Sequence, residues 1–160
     1  MDYVNKSSTS YQRRYRSYEV SQKDLVCLSP NATLAEAAKL MRKHQIGAVI
    51  VVEDREGSST PVSIITDRDI ALQAEIGDLK SCKIANYMND NLTTAHIGTD
   101  EFELVRIMKE AGVTRLPLVD DQGSLVGIVT AKKLLQIFSQ GLNDLTQIAD
   151  RQQQNERSHH

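Results

Sequence analysis

The sequence predicts a mixed α/β (α+β) fold in which two β-α-β-β-α units pack against each other with pseudo-two-fold symmetry. Two observations carry this expectation. First, the chain repeats itself: residues 33–53, TLAEAAKLMRKHQIGAVIVVE, fall on residues 100–120, DEFELVRIMKEAGVTRLPLVD, at an offset of 67. Glu36 meets Glu103, Met41 meets Met108 and Val52 meets Val119, and PVSIITDRDI (61–70) then falls on LVGIVTAKKL (125–134) at an offset of 64. Second, each unit switches from helical spacing of apolar residues to a short continuous apolar run, the signature of a helix followed by a buried strand.

The elements follow in order. Leu34, Ala37, Ala38, Leu40 and Met41 lie at helical spacing, with Thr33 as N-cap and Glu36 at N3, a capping box. Ala48–Val52 is β-branched and apolar, which predicts a buried strand. A turn, a second strand over Val62–Ile65 and a helix from about Asp67 to Ala74 complete the unit. The second unit predicts a helix over about 100–111, a strand over 115–119, a turn at Asp121–Gly123, a strand over 125–129 and a helix over 131–138. The change of offset leaves three extra residues in DREGSST relative to DQGS, expected in a surface hairpin where insertions cost little. A unit of this size buries little surface alone, so the two are expected to share their sheets.

This divides the chain into a polar N-terminal extension (1–19), a first repeat (20–77), a second repeat with its linker (78–139), a C-terminal helical tail (140–156) and an end resembling a purification tag (157–160). In the tail, Leu142, Leu145, Ile148 and Ala149 stand at near-helical spacing and predict a short amphipathic helix that covers the module or joins a partner chain.

Composition narrows the function classes. A net charge of −2 and a pI near 6.1 argue against a dedicated polyanion binder. The segment YQRRYRSY (11–18) is basic with interleaved tyrosines able to stack on bases, yet the expectation is a solvated terminus and no nucleic-acid partner. No apolar run is long enough to span a bilayer and no leader is evident, so a soluble cytoplasmic protein without a membrane partner is expected. Cys27 and Cys82 are far apart, with no CxxC and no metal-ligand spacing, and are expected as a buried packing residue and a linker residue. His44 and His96 are expected near a helix end and in the linker, rather than as ligands or bases. Nucleophile, zinc and phosphate-loop motifs are not found, and the expectation is that the chain is no enzyme and needs no obligatory cofactor.

The densest chemistry is IITDRDI (64–70), where Thr66, Asp67, Arg68 and Asp69 follow one another. Two carboxylates two residues apart diverge on a helix, which disfavours a shared metal or an acid/base pair. They also suit a capped helix start.

SPNATLAEAAKLM, IGAVIVVED and ITDRDI in the first unit, with VTRLPLVDDQGSLVGIVTAKKL in the second, resemble a tandem pair of CBS (cystathionine β-synthase) domains over about residues 20–139. The resemblance implies a regulatory, often dimeric module whose clefts hold an adenosine-containing ligand: AMP, ADP, ATP, NAD or S-adenosylmethionine. It places the family's ribose signature on Thr66 and Asp69. An ionised carboxylate suits that task, because it can accept from both ribose hydroxyls. By the same resemblance Arg115, across the cleft, meets the phosphate, with Arg68 and Lys132 as secondary contacts. Arg115 pairing instead with Asp120 or Asp121 is the alternative. Adenine would lie among Ile64, Leu92, Thr93, Val113 and Thr114. In the second unit Lys133 replaces the ribose aspartate and Ala48 stands at the phosphate position, so one competent nucleotide site per chain is expected. Ser63 stands where glycine is usual in the family (Gly127 in the second unit), a side chain that would narrow the cleft. The expected partners are an adenine nucleotide, a second copy of the chain and an unidentified regulated protein. A ligand-free interaction module is the alternative function.

Overall fold

The computed structural model describes residues 3–5 and 25–158. The YQRRYRSY segment, most of the N-terminal extension and His159–His160 lie outside the described residues. The elements are β1 (Tyr3–Asn5), β2 (Leu25–Leu28), α1 (Leu34–His44), β3 (Ala48–Arg55), β4 (Ser58–Thr66), α2 (Asp67–Ala74), β5 (Ala95–His96), α3 (Glu101–Ala111), β6 (Arg115–Val119), β7 (Leu125–Thr130) and α4 (Ala131–Ser158). They form two sheets, ordered β1-β2-β3-β4 and β5-β6-β7.

The duplication read in the sequence is a duplication of topology. In each repeat a short strand pairs parallel to the central strand, which pairs antiparallel to the last: β2-β3-β4 and β5-β6-β7. Both antiparallel ladders are irregular at matching points, between Val51 and Val52 and between Leu118 and Val119. Each repeat has its own core. Leu34, Ala37, Met41, Val49, Val51 and Ile65 pack in the first, and Leu104, Met108, Leu116, Leu118 and Val129 in the second. Leu25, Cys27 and Ile50 meet Leu125 and Ile128 in a third cluster that joins the two sheets. Each fully buried Leu or Ile contributes about 1.5–3 kcal/mol of transfer free energy, and this shared cluster is where neither repeat can be removed without exposing the other.

Three expectations change. The hairpin connection is not the loose DREGSST segment: β3 runs to Arg55 and β4 starts at Ser58. Only Glu56 (φ 55°) and Gly57 (φ 82°) turn the chain, the two-residue left-handed turn that matches strand twist. The three extra residues therefore lengthen the strands instead of slackening the loop. At the C-terminus, the helix expected to end near 138 and the separate tail helix are one 28-residue helix, α4; Gly141 costs about 1 kcal/mol relative to alanine and does not interrupt it. His96 is a strand residue, not a linker residue. Its Nδ1 accepts from the Gly98 N–H, so Nε2 carries the proton and donates to Asp121 Oδ1 at 2.8 Å. No helix among the described residues is long and apolar enough to cross a membrane.

Helix α1 has the capping box expected of it, with Thr33 Oγ1 accepting from the Glu36 N–H and Glu36 Oε2 accepting from the Thr33 N–H. The Thr33 N–H and hydroxyl, both donating to Glu36 Oε2, hold that carboxyl below the usual carboxylate range. The equivalent helices α1 and α3 end differently. Gly112 closes α3 at φ 66°, whereas Gln45 closes α1 at φ 54°, a conformation that crowds Cβ against backbone. Gln45→Gly is expected to stabilise the fold by about 0.5–1 kcal/mol, roughly 2–4 °C in Tm, measured by thermal melting.

Burial pushes the Cys27 thiol up from 9.0 to about 12. Between those pH values the folded chain holds a proton that the unfolded chain releases, so stability contributed by Cys27 is complete below pH 9 and falls as pH rises toward 12. Urea melts at a series of alkaline pH values are expected to show a smaller stability loss in Cys27→Val than in the unmodified chain.

Candidate functional site

The cleft between the repeats is set by strand ends. Ala48 pairs with Thr66 across β3 and β4, and Arg115 pairs with Thr130 across β6 and β7. Each central strand thus opens beside the end of its neighbour, where the following helix begins. Backbone bonds lock both joints: the Asp67 N–H donates to Gly47 O at 3.0 Å, and the Ala131 N–H to Thr114 O at 2.9 Å.

A cavity of about 300 Å³ lies on the first side of this cleft, at the lower end of the range for small-molecule sites. Its walls are Ser63, Ile64 and Thr66 from β4, Asn89, Asn91, Leu92 and Thr93 leading into β5, and Gly112, Val113, Thr114 and Arg115 leading into β6. Seven of the residues expected at adenine, ribose or phosphate therefore border one space: Ile64, Thr66, Leu92, Thr93, Val113, Thr114 and the cation Arg115. Asp69 is tied to that wall through Thr66. Its Oδ2 accepts from the Thr66 hydroxyl at 2.7 Å and from the Thr66 N–H at 2.8 Å, while Thr66 Oγ1 accepts from the Asp69 N–H at 3.3 Å. Asp69 is half-buried, and its Oδ1 makes no hydrogen bond among the described residues. One carboxylate oxygen caps the helix and the other remains an acceptor.

Arg115 is half-buried and forms no ion pair among the described residues. The alternative pairing with Asp120 or Asp121 is not made. Asp120 Oδ1 accepts from the Gln122 and Ser124 N–H groups in the β6–β7 turn, and Asp121 takes His96. Ser63, only 1% exposed, borders the cavity without closing it.

Two sequence-derived residues lie elsewhere. Arg68 is exposed, and its N–H donates to Asp67 Oδ1 at 2.8 Å. Lys132 lines the symmetry-related cavity, of about 310 Å³, with Leu25, Val26, Ile46, Ala48, Ile128, Thr130 and also Arg115. There the cap is reduced to Thr130 Oγ1 accepting from the Lys133 N–H at 3.2 Å, with no carboxylate beside it. Asn89 and Asn91 were missed. Their signal was the polar NDN run just ahead of Leu92, which has no hydrophobic period to reveal it.

Paired sheets, matched capped joints and a cleft with one carboxylate-backed side define a duplicated two-sheet architecture with a cleft at the joint. The chain belongs to the CBS domain family, whose profile matches residues 17–74 and 84–140. It is 34% identical over 121 residues to an uncharacterised protein of Methanopyrus kandleri, spanning 74% of this chain and 60% of that one. Among solved structures, a CBS domain pair in complex with 5′-methylthioadenosine and S-adenosyl-L-methionine superposes with a TM-score of 0.67 at 29% identity, covering 78% of this chain and 96% of that one. The cytosolic domain of the Mg²⁺ channel MgtE in complex with ATP gives 0.61 at 27% identity, covering 73% and 46%.

Proposed function

We propose that this chain is a regulatory ligand-sensing module that binds an adenosine-containing ligand in the cleft between its repeats and modulates a partner protein. AMP, ADP and ATP are the first candidates, with NAD and S-adenosylmethionine behind them. The observation that carries the reading is the convergence on one cavity of Thr66, backed by a carboxylate with a free oxygen, and of Arg115 on the opposite wall. A ribose requires paired acceptors and a phosphate requires a cation that stays charged. The apolar walls Ile64, Leu92 and Val113 suit a base. The complexes with S-adenosyl-L-methionine and with ATP in similar proteins support the ligand class. The symmetry-related cavity lacks the carboxylate, so one nucleoside per chain is the proposed stoichiometry. No reaction is assigned to the site.

A second element of the reading is self-association. Beyond residue 138 the side of α4 that carries Leu142, Leu145 and Ile148 stands exposed, at 62–68% of each residue's surface. Nearer the body, Phe102 stacks on Phe138 with ring centroids 5.2 Å apart, and Phe102 is itself 76% exposed. An apolar stripe on a helix is ordinarily covered by another element, and a second copy of the chain is the proposed cover.

Calorimetric titration with AMP, ATP and S-adenosylmethionine tests the first element: Asp69→Ala is expected to weaken binding at least tenfold, while Lys133→Ala leaves it unchanged. Unaltered affinity in Asp69→Ala would sink the assignment. Sedimentation tests the second, with Leu142→Glu/Leu145→Glu expected to shift the chain from dimer to monomer without loss of nucleotide binding.

A further inference from the structure

Gly47, between α1 and β3, marks a meeting of opposite charges. A Cβ at this position would sit 3.4 Å from Asp67 Oδ2 and 3.5 Å from Arg115 Nη2. The carboxylate oxygen and the guanidinium nitrogen are therefore no more than about 7 Å apart, both beside Gly47. Two bonds fix the carboxylate there: its Oδ1 accepts from the Arg68 N–H at 2.8 Å, and the Asp67 N–H is held by Gly47 O at 3.0 Å. Neither Asp67 nor Arg115 forms an ion pair among the described residues, so the two act on each other only through space.

The other joint is the natural control. Ala131 occupies the place of Asp67 and Thr114 that of Gly47, and the same backbone bond joins them. The carboxylate and Gly47 thus occur together, on the side toward which the Arg115 guanidinium reaches. A helix-start role alone does not require this pairing, because α4 begins at the equivalent joint without either residue.

We propose that Asp67 is the charge selector of the cleft. This inference rests on the adenosine reading given above. Arg115 is the cation that lines the first cavity, and Asp67 is a fixed anion beside it, well inside a Debye length of about 8–10 Å. The first negative charge of a bound ligand meets the guanidinium. Each further charge must be held near the same pair and is repelled by the carboxylate. The cleft consequently favours adenosine ligands with few negative charges, a monophosphate or a neutral or cationic 5′ substituent, over a triphosphate. Because Asp67 is exposed, solvent screens the effect to about three- to tenfold per charge.

The test is a titration series with adenosine, AMP and ATP, without divalent cations, on the unmodified chain and Asp67→Asn. Asparagine keeps an acceptor for the Arg68 N–H, and Asp67→Ala, which copies the second joint, serves as the second variant. Both variants are expected to leave adenosine unchanged, tighten AMP about threefold and tighten ATP tenfold or more, with the ATP gain shrinking at high salt. Equal changes for all three ligands, or no gain for ATP, would overturn the selector role while leaving the adenosine site standing. Failure of the unmodified, folded chain to bind any of the three would instead overturn the adenosine reading, and the selector with it.

Discussion

The cleft depends on one constraint, the register by which each central strand opens opposite the last residue of its neighbour: Ala48 on Thr66 and Arg115 on Thr130. Slip either pairing by one residue and every side chain changes face, sending Arg115 into the second core and Thr66 away from the cavity. The register is held at the mouth by the Asp67–Gly47 and Ala131–Thr114 backbone bonds and deeper in by the alternating burial of β4 and the continuously buried run of β7. Helix capping then falls at the same point. Thr66 satisfies the first turn of α2 and presents the same wall to the cavity, so the groups that stabilise the fold and those offered to a ligand are partly the same atoms.

This double use explains the asymmetry between the repeats. Thr130 retains the hydroxyl that caps α4, yet Lys133 supplies only a backbone N–H to it. A cap without a carboxylate still starts a helix, since the hydroxyl satisfies one orphan donor. The second joint has kept what folding requires and lost what a sugar would use. Arg115 belongs by sequence to this second repeat, pairs with its Thr130 and lines both cavities. Arg115 is thus a cation shared by both sides of the cleft.

Much of the fold was legible because duplication doubles each weak signal. The capping box at Thr33 and Glu36, the buried strands and the matched methionines Met41 and Met108, both 6% exposed, each follow from spacing alone. What escaped was set by pairing rather than by pattern. Tyr3–Asn5 has no apolar period and forms β1 only because the edge of β2 is open to it. The turn at Glu56–Gly57 was hidden because Ser58–Thr60 read as loop residues although the ladder continues through them. Helix α4 was divided near residue 139 because its two apolar stretches were read separately, although the helix runs on through Gly141 without a break. In the site, the residues marked by the repeat border the first cavity, whereas Lys132 lines the symmetry-related one beside Arg115.

Helix α4 gives the cleft a mechanical reach. It begins at Ala131, whose N–H is bonded to Thr114, the residue before Arg115. With 28 residues it extends about 42 Å at 1.5 Å per residue. A tilt of about 5° at that pivot displaces the far end by roughly 4 Å over such a length, close to the width of a side chain. The helix is a lever whose fulcrum adjoins the Arg115 guanidinium, so a sub-ångström adjustment there becomes a displacement that another molecule can feel.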